Sequence, residues 1–415
     1  MNETTLSARM AKGAKRVLPF ERVALVLQGG GALGAYQAGV FQAIDEANIE
    51  VDWLCGTSIG AINGALIAGN RPDQRVERLR EFWEAVTKRP LKIPNVAWLS
   101  DVSWTPDLPW GLDEQARAWT NKMSALGTML YGAPNFFAPR PAPPLSSAAE
   151  KPDQVSYYDP SPLRATLARL VDFGLINSQS MRLSIGATNV RTGSTVYFDN
   201  IERKITCAHI VASASLPPAF PPAEVDGEYY WDGGLVSNSP MQFVVDNRQG
   251  HSALVFQVDL WDANGEVPLD ITSANLRAIE IHSASRVNIS LEQYQKMQKF
   301  RYALGMLLDQ LPEKCHNDPK IRFLAKEAHV TLVNVVQLKY QSKKYETASK
   351  TFEFSRRAME EHWQAGYEDT KAALGEPAVF ELPEISEGAR IFDVHRGWMN
   401  GNGTINGNGA NAGAA

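Results

Sequence analysis

The chemistry of this chain begins at one serine. Ser58 lies in Gly56-Thr-Ser-Ile-Gly60, directly after an apolar run at 51–55. Glycine has no Cβ, so Gly56 and Gly60 let a strand turn sharply into a helix and hold the serine strained and exposed between them. A serine held that way is a candidate nucleophile for acyl transfer, and it then needs a base and an oxyanion site. A second glycine cluster, Gln28-Gly-Gly-Gly-Ala-Leu-Gly34, follows the apolar run 23–27 and opens a helix. Converging backbone N–H groups and the positive end of the helix make that loop an anion site. The anion is either a phosphate or the oxyanion of acyl transfer, and the glycines alone do not say which.

Gly29, Gly31 and Gly34 satisfy GxGxxG, so dinucleotide binding has to be weighed. That fingerprint also needs an acidic residue at the far end of the second strand, to hold ribose hydroxyls. Here Asp52 stands at the start of that strand and Ser58 at its end, which favours acyl transfer. Parallel neighbouring strands would bring the glycine loop and the Ser58 turn together at one sheet edge. The base is the next question. None of the seven histidines (His209, His251, His282, His316, His329, His362, His395) follows a strand in the loop position a triad requires. Asp232 does: it ends Tyr229-Tyr-Trp231 and precedes Gly233-Gly234, where the backbone can carry a carboxylate close to another group. An isolated Asp-Gly-Gly is more readily a plain turn.

Taken together, Gly29-Gly-Gly-Ala-Leu-Gly34, Gly56-Thr-Ser-Ile-Gly60, Ala212-Ser-Ala-Ser-Leu-Pro-Pro-Ala-Phe-Pro-Pro222 and Asp232-Gly-Gly234 resemble the patatin-like phospholipase family, in order and in spacing, over residues 22–260. The resemblance implies an α/β fold, a three-layer α/β/α sandwich with a mainly parallel central sheet, and a Ser–Asp dyad without histidine. Carried over, Ser58 is the nucleophile, Asp232 the base, and the backbone N–H groups of Gly29, Gly30 and Gly31 the oxyanion hole. Gly56, Gly60, Gly233 and Gly234 support those turns. Leu33 departs from the family, whose members often carry Arg or Lys there, and this weighs against phospholipids in particular. Residues 270–395 look like the uncharacterised domain appended to some bacterial members. The implied activity is a carboxylic ester hydrolase cleaving lipid acyl esters through an acyl-enzyme. The alternative is a regulatory protein that binds lipid or acyl chains on the same fold without turnover.

The elements that must position these residues can be read from periodicity. Strand and helix alternate from 22 to 89, and alternation resumes with a helix near 161–173 and strands near 181–188, 195–199 and 229–231. A helix is expected at 208–214 and a last apolar strand at 253–260. Such alternation implies a parallel sheet covered on both faces. Between 90 and 156 prolines cluster and four tryptophans occur (Trp98, Trp104, Trp110, Trp119), a stretch expected to be poor in regular structure. It is either a surface insertion or a wall over the site. From 272 apolar residues recur at helical spacing to 311, followed by a strand at 330–338 and a helix near 351–374. The expected organisation is a mobile leader at 1–20, a catalytic domain at 21–265, a mostly helical C-terminal extension at 270–395, and a disordered Gly/Asn-rich tail at 396–415.

Bulk composition narrows the partners. The 415 residues carry 41 Lys and Arg against 46 Asp and Glu, a net −5 spread along the chain, so no basic field for nucleic acid is present. Three scattered cysteines form no CxxC pair, which argues against a disulfide framework or a zinc site. No metal or cofactor is expected. No apolar stretch reaches the length of a membrane span and no signal-peptide core precedes residue 23, so the expected setting is cytoplasmic, with any membrane contact peripheral. The mixed charges on the outer face of the 275–311 helix suit packing on the sandwich or a homo-oligomer contact better than insertion into lipid.

Overall fold

A computed structural model describes residues 15–87, 112–142, 149–247, 250–265, 267–269, 271–343, 345–346, 350–395, 397–399 and 405–406. Strand β1 (Arg22–Leu27) leads through the glycine loop to helix α1 (Ala35–Glu46), then β2 (Trp53–Thr57), α2 (Ile59–Ala68) and α3 (Arg75–Val86). Helices α4 (Leu112–Tyr131), α5 (Ser161–Leu170) and α6 (Phe173–Asn177) precede β3 (Arg182–Asn189) and β4 (Thr195–Asp199). Then come α7 (Cys207–Ser213), β5 (Ala223–Val225), β6 (Glu228–Asp232), α8 (Met241–Asn247) and β7 (Ala253–Asp259). The C-terminal region contributes α9 (Ile271–Asp309), α10 (Pro319–Glu327), β8 (Val333–Lys339), α11 (Arg356–Leu374) and β9 (Ala389–Asp393), with short strands β10 (Gly397–Met399) and β11 (Ile405–Asn406).

These strands form one 11-stranded sheet in the order β11-β10-β9-β8-β7-β1-β2-β3-β6-β5, with β4 also paired to β3. The central run from β9 to β3 is parallel, and the antiparallel strands sit at its two ends. A strand buried on both faces has no polar face to alternate with, so β1, β2 and β7 read as near-continuous apolar runs. Leu25, Leu27, Leu54, Phe256 and Val258 join the core on one face, whereas Val26, Cys55, Val255 and Val335 join Met241, Val244 and Tyr294 on the other. Helices α1, α2 and α11 cover the first face and α8 and α9 the second, giving three layers.

One close approach fixes how the C-terminal region sits. A Cβ on Gly39 of α1 would meet the Trp363 carbonyl at 1.9 Å, and one on Gly366 of α11 would meet the Tyr36 carbonyl at 2.0 Å. The two helix backbones therefore touch at these glycines, and either substituted by alanine would force them apart.

Several elements differ from the expectations. The C-terminal region does more than cap the sheet with helices, since β8 and β9 continue it in parallel beyond β7. The 90–156 insertion holds a twenty-residue helix, α4, while its reading as a wall over the site falls in part on residues outside those described. The expected leader is described from Lys15. There the Arg16 N–H bonds the Asn48 carbonyl at 3.0 Å, its guanidinium lies over Phe380, and Phe20 is buried. Within the expected tail, β10 and β11 pair at the sheet edge, where the open backbone of β9 offers partners. The rest of that tail lies outside the described residues.

Candidate active site

The carboxyl edge of the parallel sheet gathers the candidate residues, because β1 and β2 are parallel neighbours with Leu27 opposite Gly56. Each strand there ends in one of the two glycine motifs. Ser58 follows β2 with φ 57° and ψ −125°, a conformation an L-residue adopts at a cost of about 1–3 kcal/mol. Its surroundings hold it. The Ser58 N–H donates to Ser213 Oγ at 2.9 Å, and that hydroxyl donates to the Gly186 carbonyl at 2.6 Å. A Cβ on Gly56 would meet the Gly60 carbonyl at 2.4 Å, and one on Gly60 the Leu27 carbonyl at 2.3 Å. The elbow is thus packed backbone against backbone, which no larger residue permits.

Asp232 ends β6 and is 2% exposed. Its N–H donates to the Ser215 carbonyl at 2.9 Å and its carbonyl accepts the Thr188 hydroxyl at 3.0 Å. The Gly234 N–H donates to Oδ1 at 2.7 Å. Burial pushes the carboxyl up to about 6, while hydrogen bonding from the Ser58 side chain and the Gly234 N–H pulls it back down. No charged group enters that balance. A Cβ on Gly233 would meet the Gly186 carbonyl at 2.6 Å, so this turn too is locked against β3.

The glycine loop closes the third side. Gly29 lies against the nucleophile, since a Cβ there would stand 2.9 Å from that of Ser58. The Gly29 N–H is directed at the Asn238 carbonyl, 3.3 Å away. The N–H groups of Gly30 and Gly31 meet no acceptor among the described residues. Gly31 has φ +58° and its missing Cβ would meet the Thr351 carbonyl at 2.6 Å. Leu33, where the family often carries a cation, is fully buried in the core.

The nucleotide alternative loses its acidic partner, for the Asp52 carboxylate accepts the Val23 N–H at 2.8 Å at the opposite end of the strands. Four of the histidines are engaged elsewhere: His209 caps α7 through Thr206, His251 pairs with Glu21, His362 with Glu346 and His395 with Asp369. Three residues around the site were not singled out from the sequence. Ser213 lies inside the Ser/Ala/Pro block at 212–222, and that block was the available signal. Asn238 and Trp261 carry no local signal, because their bonds to Gly29 span 209 and 232 positions.

The chain is similar to known proteins. Residues 25–245 match the model of the patatin-like phospholipase family, and residues 281–384 match a second model described as patatin phospholipase. Patatin-like phospholipase domain-containing protein 6 of Homo sapiens is 47% identical over 73 residues, which are 17% of this chain and 5% of that protein. Lysophospholipase nte1 of Aspergillus terreus is 61% identical over 46 residues, 11% of this chain and 3% of its own length. The chain thus spans only a small part of these curated relatives. Among solved structures, VipD from Legionella pneumophila aligns with 89% of this chain and 72% of its own, at 14% identity and a TM-score of 0.36. By the match that covers the glycine loop, the Ser58 elbow and the Asp232 turn, this chain belongs to the patatin-like phospholipase family.

Proposed function

We propose that the chain is a serine acyl hydrolase that cleaves lipid acyl esters through Ser58 and Asp232. The observation that carries this reading is a buried carboxyl whose balance includes no charged group among the described residues, facing a serine held at positive φ beside two N–H groups that meet no acceptor among those residues. Asp232 accepts the Ser58 proton as Oγ attacks the ester carbonyl, and the oxyanion settles on the N–H groups of Gly30 and Gly31. Collapse breaks the ester C–O bond, passes the proton from Asp232 to the leaving oxygen, and leaves an acyl-serine beside a carboxylate that is ionised again. Water, deprotonated by the same carboxylate, then frees the acid. A carboxylate is a weak base for a hydroxyl, and its removal from water narrows the gap.

Relatives named lysophospholipase and neuropathy target esterase support a fatty-acyl ester as substrate. No helix among the described residues is long and apolar enough to cross a membrane. A p-nitrophenyl acyl ester series tests the reading. Wild type should turn over the series and accept one fluorophosphonate per chain at Ser58. Full activity in both Ser58→Ala and Asp232→Ala would reject the dyad, and binding of lipid without turnover would favour a regulatory protein.

A further inference from the structure

The oxyanion loop does not stand alone. The Gly29 carbonyl accepts two hydrogen bonds, from Trp261 Nε1 at 2.9 Å and from Asn238 Nδ2 at 3.1 Å. The peptide that follows is planar and trans, so its N–H, which belongs to Gly30, points opposite to that carbonyl. Fixing the carbonyl therefore fixes the direction of the candidate oxyanion donor.

Trp261 is itself held from the loop. Gln28 Oε1 accepts the N–H of Leu260 at 2.7 Å and of Trp261 at 3.2 Å, and its Nε2 donates to the Ser283 carbonyl at 3.0 Å. The brace is reciprocal: the side chain of 28 holds the backbone of 260–261, and the side chain of 261 holds the backbone of 29. The C-terminal region seats the indole from the other side. Lys350 Nζ lies 5.1 Å from the Trp261 ring, within cation–π range, and is kept there by Glu280 at 2.9 Å and Ser342 at 2.6 Å. The next residue, Thr351, presents its carbonyl to the face of Gly31.

We infer that Trp261 is a positioning residue of the oxyanion hole, and that the C-terminal region seats it through Lys350 while Thr351 packs on Gly31 of the same loop. The inference rests on the Ser58–Asp232 reading and adds a role for the segment that follows the catalytic strands. It also explains why β8 and α9 are built onto the same sheet rather than set apart. A linked but separate domain would not hold Ser283 and Thr351 in register with residues 28–31.

The test removes one N–H. Trp261→Phe keeps an aromatic ring and loses the donor, and replacement by the sulfur isostere of tryptophan, benzothienylalanine, keeps the shape as well. Removing an oxyanion donor outright costs about 100- to 1000-fold, so loosening one should lower kcat about tenfold. KM should stay within about twofold, because the lost stabilisation belongs to the transition state. Fluorophosphonate labelling should slow by a similar factor yet still reach one per chain, which shows an intact fold and nucleophile. Unchanged kcat in the folded isostere would overturn the inference, as would a raised KM with kcat intact, since Trp261 would then be a substrate wall. If Trp261→Phe does not fold, the isostere decides. Activity surviving in Ser58→Ala would instead overturn the dyad, so the two failures are distinguishable.

Discussion

Two buried aspartates lie on the same sheet edge, and only one of them keeps the company of a nucleophile. Asp232 and Asp259 are 2% and 3% exposed, and burial pushes both carboxyls up to about 6. Around Asp232 the balancing groups are neutral, the Ser58 side chain and the Gly234 N–H. Around Asp259, Gln257 Nε2 bonds both oxygens at 3.0 and 2.8 Å, Lys339 lowers the pKa, and Asp393 and Asp262 raise it. Lys339 in turn pairs with Asp393 at 2.8 Å. Burial accounts for the shift in both places and therefore marks neither as catalytic. What separates them is an attackable hydroxyl, since the Ser58 side chain bonds Asp232 and does not enter the balance at Asp259.

The largest expected effect breaks that symmetry directly. Ser58→Ala and Asp232→Asn should each lower kcat/KM on a p-nitrophenyl ester by a factor on the order of 10⁴ or more, since each removes a member of a unit that works together. Asp259→Asn should leave kcat/KM within about threefold by the same measure, because Asp259 touches neither nucleophile nor loop. A comparable loss in Asp259→Asn would mean that the distinction drawn from their neighbours is wrong.

The pH profile sharpens the comparison next. Asp232 accepts a proton only as the carboxylate, so kcat/KM should fall as pH drops through about 6, tenfold per unit on the acid side. Asp259→Asn should leave that inflection where it is. An inflection near 4 in wild type would say that the carboxyl in the working enzyme is solvated, and an inflection that moves with Asp259→Asn would assign the titration to the wrong aspartate.

The N-terminal half of this edge was legible in the sequence and the C-terminal half was not. Ser58 and the glycine loop announce themselves because an elbow and an anion cradle demand glycine at fixed local spacing, in Gly56-Thr-Ser-Ile-Gly60 and Gly29-Gly-Gly31 alike. Strand 253–260 was recoverable for a related reason, being buried on both faces and hence largely apolar. The continuation of the sheet was not, because β8 lies 73 residues beyond the end of β7 and parallel pairing leaves no local trace. Gln257, Asn334 and Gln337 also interrupt its apolar pattern with buried polar side chains. Asn238 and Trp261 were missed since a donor to a distant carbonyl looks like any other Asn or Trp. The partner of the Gly29 N–H was not legible either, as it is a carbonyl that only the folded chain brings near.

The smallest effect is thermodynamic. The folded pKa of Asp232, about 6, stands above the roughly 3.9 of an unfolded aspartate, so the native state binds this proton more tightly. Above pH 6 the ionised carboxyl therefore costs native stability, and that cost disappears as pH falls through 6 towards 4. Asn is neutral throughout, and its amide can keep the Gly234 N–H bond through Oδ1 and donate to the Ser58 hydroxyl. Asp232→Asn should accordingly unfold later than wild type at pH 8, by about 1–3 kcal/mol, with the gain gone near pH 4. Asp259→Asn starts from the same shifted carboxyl but removes a negative charge that Lys339 feels. Its gain at pH 8 should be smaller or reversed. Urea unfolding of the three proteins at pH 8 and pH 4.5 decides this, and equal gains would show that the charges around Asp259 contribute nothing beyond its burial.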